Sequence, residues 1–319
     1  DLVIFGTESG IDNSKSGAVY VHDLLGIQEH ARCIELKQAC YGATAGIQLA
    51  KGHIALNPES RVLVLGSDIS RYGIGTAGEV TQGAGAVAMI ISKEPRILAL
   101  ENESSYLTAD VMDFWRPIYS ETAFVDGKYS NEQYISFFVN VWEDFKAKYG
   151  ATLADFGAIC FHLPYTKMGM KALREVLNEG SEADRERLAA HYQTSTVYNK
   201  IVGNIYTGSL YLSLLSLLEL SDDLKAGDKI GLFSYGSGAV GEFFAAALQK
   251  GFKEVLAAAE HGKMFAGRTE VSVKEYEEIF SRVLPIDGSS IELDVDADPA
   301  TICIEGMEGN KRIYLNKTR

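Results

Sequence analysis

Short apolar runs that end in a polar residue recur along this chain, with segments of helical spacing between them. The run Leu2-Val3-Ile4-Phe5-Gly6 predicts a buried strand leading to Glu8, and Ala158-Ile159-Cys160-Phe161 predicts another leading to His162. Residues 32–39 mix apolar and polar positions as a strand does and deliver the chain to Cys40. The small residues of 41–50 then predict a tightly packed helix. Gly203-Asn204-Ile205-Tyr206-Thr207-Gly208 opens a second helix over 209–220, apolar nearly all round and so buried on several sides. Gln82-Gly83-Ala84-Gly85-Ala86 reappears as Tyr235-Gly236-Ser237-Gly238-Ala239, with a strand expected after each, over 87–92 and 240–247.

Three features in the same order argue for a duplicated architecture. Strands alternate with helices in both halves, which sets the class as α/β. The pattern predicts two central helices between two sheets, with further helices outside. It divides the chain into a first half over 1–95 carrying Glu8 and Cys40, a connection over 96–130, and a second half over 131–319. An aromatic-rich helix over 131–149 precedes the second half's strand, whereas nothing precedes Leu2, so an N-terminal piece is expected to be missing. The segment 101–128 reads as a long irregular connection. The charged stretch beyond Lys250, ending in short strands at 301–304 and 312–315, reads as a solvated cap on the second half without catalytic residues.

Composition narrows the function classes. A formal net charge of −13 argues against broad nucleic-acid or anionic-membrane binding. Cys33, Cys40, Cys160 and Cys303 form no C-x-x-C pair and no zinc spacing, so no metal site is expected and a reducing, cytoplasmic setting fits. No apolar run reaches membrane-spanning length. Gly75-Thr76-Ala77-Gly78 is followed by neither Lys-Ser nor a dinucleotide fingerprint, which removes a phosphate-loop or Rossmann cofactor site.

Glu8, Cys40, His162 and Asn204 all fall at strand ends or helix openings, where α/β folds gather their ligands. Singly, Cys40 reads as a small buried hydrophobe, His162 as a core imidazole and Asn204 as a helix cap. Jointly they supply a nucleophile, an imidazole, an amide and a carboxylate at matching places in two related halves. A thiol at a helix N-terminus is expected to be stabilised as thiolate by the unpaired amides and the macrodipole. The Gly236-Ser237-Gly238 turn would let the Ser237 amide join that of Cys40 in holding a thioester oxygen. Lys167 and Lys171, one turn apart on a helix expected over 166–177, share a face suited to the phosphates of a nucleotide-bearing substrate.

The stretches Gly6-Thr7-Glu8-Ser9, Lys37-Gln38-Ala39-Cys40-Tyr41-Gly42-Ala43-Thr44, Phe161-His162-Leu163-Pro164-Tyr165-Thr166-Lys167-Met168-Gly169, Gly203-Asn204-Ile205-Tyr206-Thr207-Gly208-Ser209 and Phe233-Ser234-Tyr235-Gly236-Ser237-Gly238 resemble the hydroxymethylglutaryl-CoA synthases of bacterial type, in the thiolase superfamily. The resemblance spans essentially the whole chain. It implies a five-layer thiolase-like αβαβα fold, a homodimer, and condensation of acetyl-CoA with acetoacetyl-CoA in the mevalonate route to isoprenoids. Coenzyme A thioesters are then substrates, and no cofactor or metal is required. Cys40 matches the acetylated nucleophile, Glu8 the general acid/base, and His162 the residue that holds acetoacetyl-CoA. Asn204 and Ser237 match groups that bind the substrate carbonyls, and Tyr41, Thr44, Tyr235, Asp68 and Asp113 fall on motif positions of the substrate site. Lys167 and Lys171 match positions near the CoA phosphates. A ketoacyl synthase is the nearest alternative, set apart by Glu8, since decarboxylation makes its own carbanion. A non-catalytic scaffold of the same fold is the other.

Overall fold

The structure, a computed structural model, describes residues 1–319. In the first half, β1 (Leu2–Gly6) leads through α1 (Gly17–Leu25), β2 (Arg32–Leu36) and α2 (Gly42–Leu56) to β3 (Val62–Ile69) and β4 (Ala84–Ile91). These strands form a sheet of order β2-β1-β3-β4, with β1 parallel to β2 and β3 and only β4 antiparallel. The chain continues through β5 (Leu98–Thr108) and two short strands, β6 (Phe114–Trp115) and β7 (Phe124–Val125), to α3 (Gly127–Tyr149). The second half follows with β8 (Phe156–Phe161), α4 (Met168–Val176), α5 (Glu182–Ser195), α6 (Val197–Val202), α7 (Ser209–Leu220), β9 (Lys229–Gly236) and β10 (Val240–Leu248). Its sheet has the order β5-β10-β9-β8, with β8 and β9 parallel and β10 antiparallel to both neighbours. The strands β1, β3 and β4 thus correspond to β8, β9 and β10, as the paired sequence patterns predict.

The two sheets enclose α2 and α7. Ile4 and Val64 of the first sheet, Ala43 and Ile47 of α2, Leu210 and Leu217 of α7, and Leu232 and Phe244 of the second sheet belong to one buried cluster. Glycines on both sides allow this closeness: a Cβ added at Gly6 of β1 would lie 2.5 Å from the Ala43 nitrogen, and one at Gly46 of α2 would lie 3.0 Å from Ile4 Cγ2. The outer face of the second sheet is covered by α3, whose Tyr134, Phe137, Phe138, Trp142 and Phe145 pack on Phe156, Phe233 and Phe243. Helix, sheet, central helices, sheet and outer helices make up the five-layer thiolase-like arrangement.

Several boundaries differ from those expected. The helix α7 has the anticipated limits, but α2 runs on to Leu56, and α3 starts at Gly127 because the Asp126 side chain accepts from the Tyr129 amide as its cap. The strand expected over 87–92 starts earlier, since β4 already begins at Ala84. Much of the stretch expected as an irregular connection is ordered, because β5 is the edge strand of the second sheet. The C-terminal segment contains α8 (Ala258–Ala266), α9 (Val273–Phe280), β11 (Ile291–Glu292), β12 (Ile302–Glu308) and β13 (Lys311–Asn316). It packs on both halves rather than capping only the second: Phe265 and His261 of α8 meet Tyr198 and Glu219 of the second half, and the rest reaches the first. The Tyr314 ring meets Tyr20 of α1, Asn316 donates to the Leu24 carbonyl, and the Phe280 ring takes the guanidinium of Arg71.

Candidate active site

The chain reaches Cys40 through a tight turn. Leaving β2, it passes Ala39 in the left-handed region (φ 42°), and the Gln38 carbonyl accepts from the Tyr41 amide. The first helical residue of α2 is Gly42, so Cys40 stands just ahead of the helix opening. Glu8 follows the carboxyl end of β1, and the two side chains meet: Cys40 Sγ donates to Glu8 Oε1 at 3.1 Å.

The electrostatics of this pair overturn one expectation. Burial, then the charges of Glu8, Asp68 and Asp113, push the Cys40 thiol well above its usual range, so it rests as a neutral thiol rather than a thiolate. Burial and the neighbouring Asp68 charge also raise Glu8, to about 8, against the Cys40 hydrogen bond and the Arg116 charge. A carboxyl poised near working pH is suited to proton transfer. The ionised form of Glu8 is the acceptor toward which the thiol points, so the nucleophile is made by handing its proton to Glu8 as the sulfur attacks.

Asp68, expected at the substrate site, braces the turn that carries Glu8. Oδ1 accepts from the Thr7 hydroxyl and from the amides of Glu8 and Ser9, and Oδ2 accepts from the amide and hydroxyl of Thr207. Both oxygens are thereby committed to bracing the Glu8 turn. Asp113 does the same for the glycine turn: Oδ2 accepts from Tyr235 and Ser130, and Oδ1 from the Gly238 amide. Tyr41 points away from the sulfur, its hydroxyl donating to the buried Glu242 at 2.6 Å. Thr44 lies deeper still, bonded to Tyr211 and Ser234 between helix and sheet. All four are bonded to other groups of the chain and brace the site through them.

The glycine turn after β9 approaches the Cys40 turn directly. A Cβ on Gly236 would sit 2.4 Å from the Gln38 carbonyl oxygen, so only glycine fits, and Gln38 Nε2 donates to the Ser237 carbonyl at 3.2 Å. The amides of Cys40 and Ser237 donate to no other group of the chain. That leaves them available to a thioester oxygen.

His162 emerges from β8 beside β9, its amide donating to the Phe233 carbonyl and its own carbonyl accepting from the Tyr134 hydroxyl. Burial lowers the imidazole to about 3, so it is neutral at any working pH. Its Nδ1 has no partner in the chain. A neutral ring fixed in this way can donate one hydrogen bond to a substrate oxygen without placing a charge there.

Asn204 accepts at Oδ1 from the Tyr206 amide and the Ser209 hydroxyl, and donates from Nδ2 to the Tyr72 hydroxyl at 3.0 Å. It also lines a cavity of about 200 Å³ with Thr81, Leu163, Tyr165, Thr166, Asn199 and Lys200. Lys171 donates to the Tyr165 hydroxyl at the rim of this cavity; Lys167 precedes α4 rather than lying inside it. Sequence reasoning missed Tyr72, whose ring packs against Phe114 and Tyr206 around the Asn204 amide. It also missed Arg116, which donates from Nη2 to the Glu8 carbonyl. For Tyr72 a signal existed: it lies just beyond the carboxyl end of β3, as Glu8 and His162 do beyond theirs. No group of three or more His, Cys, Asp and Glu side chains is arranged to hold a metal.

Comparison with known proteins follows the same outline. The family model described as hydroxymethylglutaryl-coenzyme A synthase N terminal matches residues 2–95, and its C-terminal counterpart matches 99–193 and 174–284. The chain is 53% identical over 316 residues to the hydroxymethylglutaryl-CoA synthase of Enterococcus faecalis, covering 99% of this chain and 82% of that one. It superposes on a crystal structure of an HMG-CoA synthase complexed with CoA at a TM-score of 0.95 and 47% identity, covering 99% of this chain and 81% of that one. A structure of MvaS in complex with 3-hydroxy-3-methylglutaryl coenzyme A matches at a TM-score of 0.85 and 33% identity, with coverage of 99% and 81%.

Proposed function

We propose, since this chain belongs to the hydroxymethylglutaryl-CoA synthase family, that Cys40, Glu8 and His162 carry out that family's reaction in it. The enzyme is an acyltransferase that condenses acetyl-CoA with acetoacetyl-CoA and water to 3-hydroxy-3-methylglutaryl-CoA and CoA, in the mevalonate pathway. The observation that carries the residue assignment is the 3.1 Å contact between the Cys40 thiol and the Glu8 carboxylate.

Cys40 attacks the acetyl thioester as its proton passes to Glu8, which hands it on to the departing CoA thiolate and is left ionised again. Acetoacetyl-CoA then occupies the cavity at Asn204, with its phosphates toward Lys167 and Lys171. The ionised Glu8 removes a proton from the acetyl methyl group, the amides of Cys40 and Ser237 hold the enolate oxygen, and the carbanion adds to the ketone. His162 and the remaining Nδ2 hydrogen of Asn204 hold the ketone oxygen as it becomes an alkoxide, which takes from Glu8 the proton removed from the methyl group. Water finally cleaves the Cys40 thioester.

The division into halves at 1–95 and 131–319 stands as our reading of the duplication, with β5 belonging to the second sheet. We also place the enzyme in the cytoplasm, in keeping with four free cysteines, and no helix is long and apolar enough to cross a membrane. We read it as a homodimer: the edge strand β4 exposes Ala84, Ala86, Ala88 and Ile90 along one face, an unusual surface for a strand left uncovered.

Two experiments test this reading. Incubation with acetyl-CoA and acetoacetyl-CoA is expected to yield 3-hydroxy-3-methylglutaryl-CoA by mass spectrometry. Turnover only with a malonyl thioester would point instead to a decarboxylating ketoacyl synthase. His162→Ala is expected to cut condensation by roughly 100-fold while Cys40 still acetylates at close to the wild-type rate. Equal losses in both half-reactions would contradict the role given to the imidazole.

A further inference from the structure

We propose that Arg116 serves the hydrolytic end of the reaction, receiving the carboxylate set free when water cleaves the Cys40 thioester, and that the cavity it lines admits that water. The inference deepens the reading above and rests on it. After condensation the new acyl group is held at both ends, by Cys40 and by CoA. The CoA arm then fills the cavity bounded by Leu163, Tyr165 and Asn204. Water has to arrive from another side.

A second cavity, of about 250 Å³, adjoins the Glu8 turn, bounded by Gly10, Asn13, Arg116 and Pro117, and shares no lining residue with the first. Arg116 bridges this space and the site, because its Nη2 donates to the Glu8 carbonyl oxygen. The guanidinium has five N–H donors, and the rest of them make no hydrogen bond or ion pair with the chain. Asp12 also lines the cavity, but its Oδ1 is already occupied by the amides of Ser14 and Lys15.

The charge balance supplies the need. Glu8, Asp68 and Asp113 all act on the Cys40 sulfur, so a carboxylate born there is repelled on formation. Arg116 is a cation whose field reaches the Glu8 carboxyl. In the step, the water oxygen bonds to the acyl carbon, and the carbon–sulfur bond breaks with its electron pair going to sulfur. Sulfur takes one water proton, and the carboxylic acid gives up its own through Glu8 to solvent. The resulting carboxylate forms a paired hydrogen bond with the guanidinium.

The test compares the full chain with Arg116→Ala and Arg116→Lys, quenched during turnover of acetyl-CoA and acetoacetyl-CoA and weighed intact. Arg116→Ala is expected to acetylate normally, lose on the order of 100-fold in turnover, and accumulate the condensed acyl group on the protein. Arg116→Lys is expected to recover part of the turnover and show less of that adduct. Unchanged turnover in Arg116→Ala overturns the proposal. So does acetylation that falls in step with turnover and leaves no condensed adduct, since Arg116 would then only support the Glu8 turn. A wild-type chain that never acetylates would instead remove the underlying reading of Cys40.

Discussion

Cys40→Ala abolishes formation of 3-hydroxy-3-methylglutaryl-CoA, with a loss of at least ~10⁴-fold, because no other group in the site can carry the acetyl group between the two substrates. Glu8 is the only side chain bonded to the sulfur, so truncation leaves the surrounding scaffold in place. The braces at Asp68 and Asp113 and the close approach of Gly236 to Gln38 do not involve Sγ. A folded, inactive variant is therefore expected, to be checked by circular dichroism alongside the product assay. Cys40→Ala turning over at even a tenth of the wild-type rate would mean that the reaction runs without a covalent intermediate on this residue.

Glu8→Ala is expected to separate the half-reactions. Condensation loses its base and falls by roughly 10³-fold. Acetyl transfer loses the acceptor of the thiol proton, but it also loses the largest charge that holds the thiol pKa up, and these effects oppose each other. Acetylation should therefore fall by about 10-fold or less. The pH dependence has a definite sign. A carboxyl raised to about 8 is mostly protonated at neutral pH, and a base must be ionised, so condensation in the wild type rises as pH climbs through about 8 and levels off above it. A flat profile across that range, or a Glu8→Ala variant that condenses as well as it acetylates, would place the base elsewhere.

The parts of this architecture that local pattern controls could be read from the chain. The helix α7 keeps its predicted limits because most of its residues, from Ser209 to Leu218, are buried on several sides. Glu8, Cys40 and His162 stand out as candidates because each follows a strand, and the carboxyl ends of parallel strands gather ligands in this fold class. What could not be read depends on partners far away in sequence. The protonation of Cys40 is set first by burial and by Glu8, and then by Asp68 and Asp113, all of which depend on distant segments packing around the turn, so the helix dipole expected to favour thiolate is outweighed. Asp68 and Asp113 fall on motif positions, yet a motif does not say whether a carboxylate faces substrate or amides, and here the oxygens are taken by amides and hydroxyls. Thr44 and Tyr41 fall on motif positions too, and only the folded turn shows their side chains bonded to Tyr211 and Glu242. The strand β5 was hidden because its polar residues, such as Glu101, Asn102 and Glu103, suit an edge strand with one solvated face.

The most direct test of the account is the intact mass of the wild-type chain after brief exposure to acetyl-CoA, followed by peptide mapping and a chase with acetoacetyl-CoA. One acetyl group on the peptide holding Cys40, cleared by the chase as product appears, is the predicted result. An unmodified chain that still makes product, or an acetyl group on another residue cleared at the rate of turnover, would contradict it.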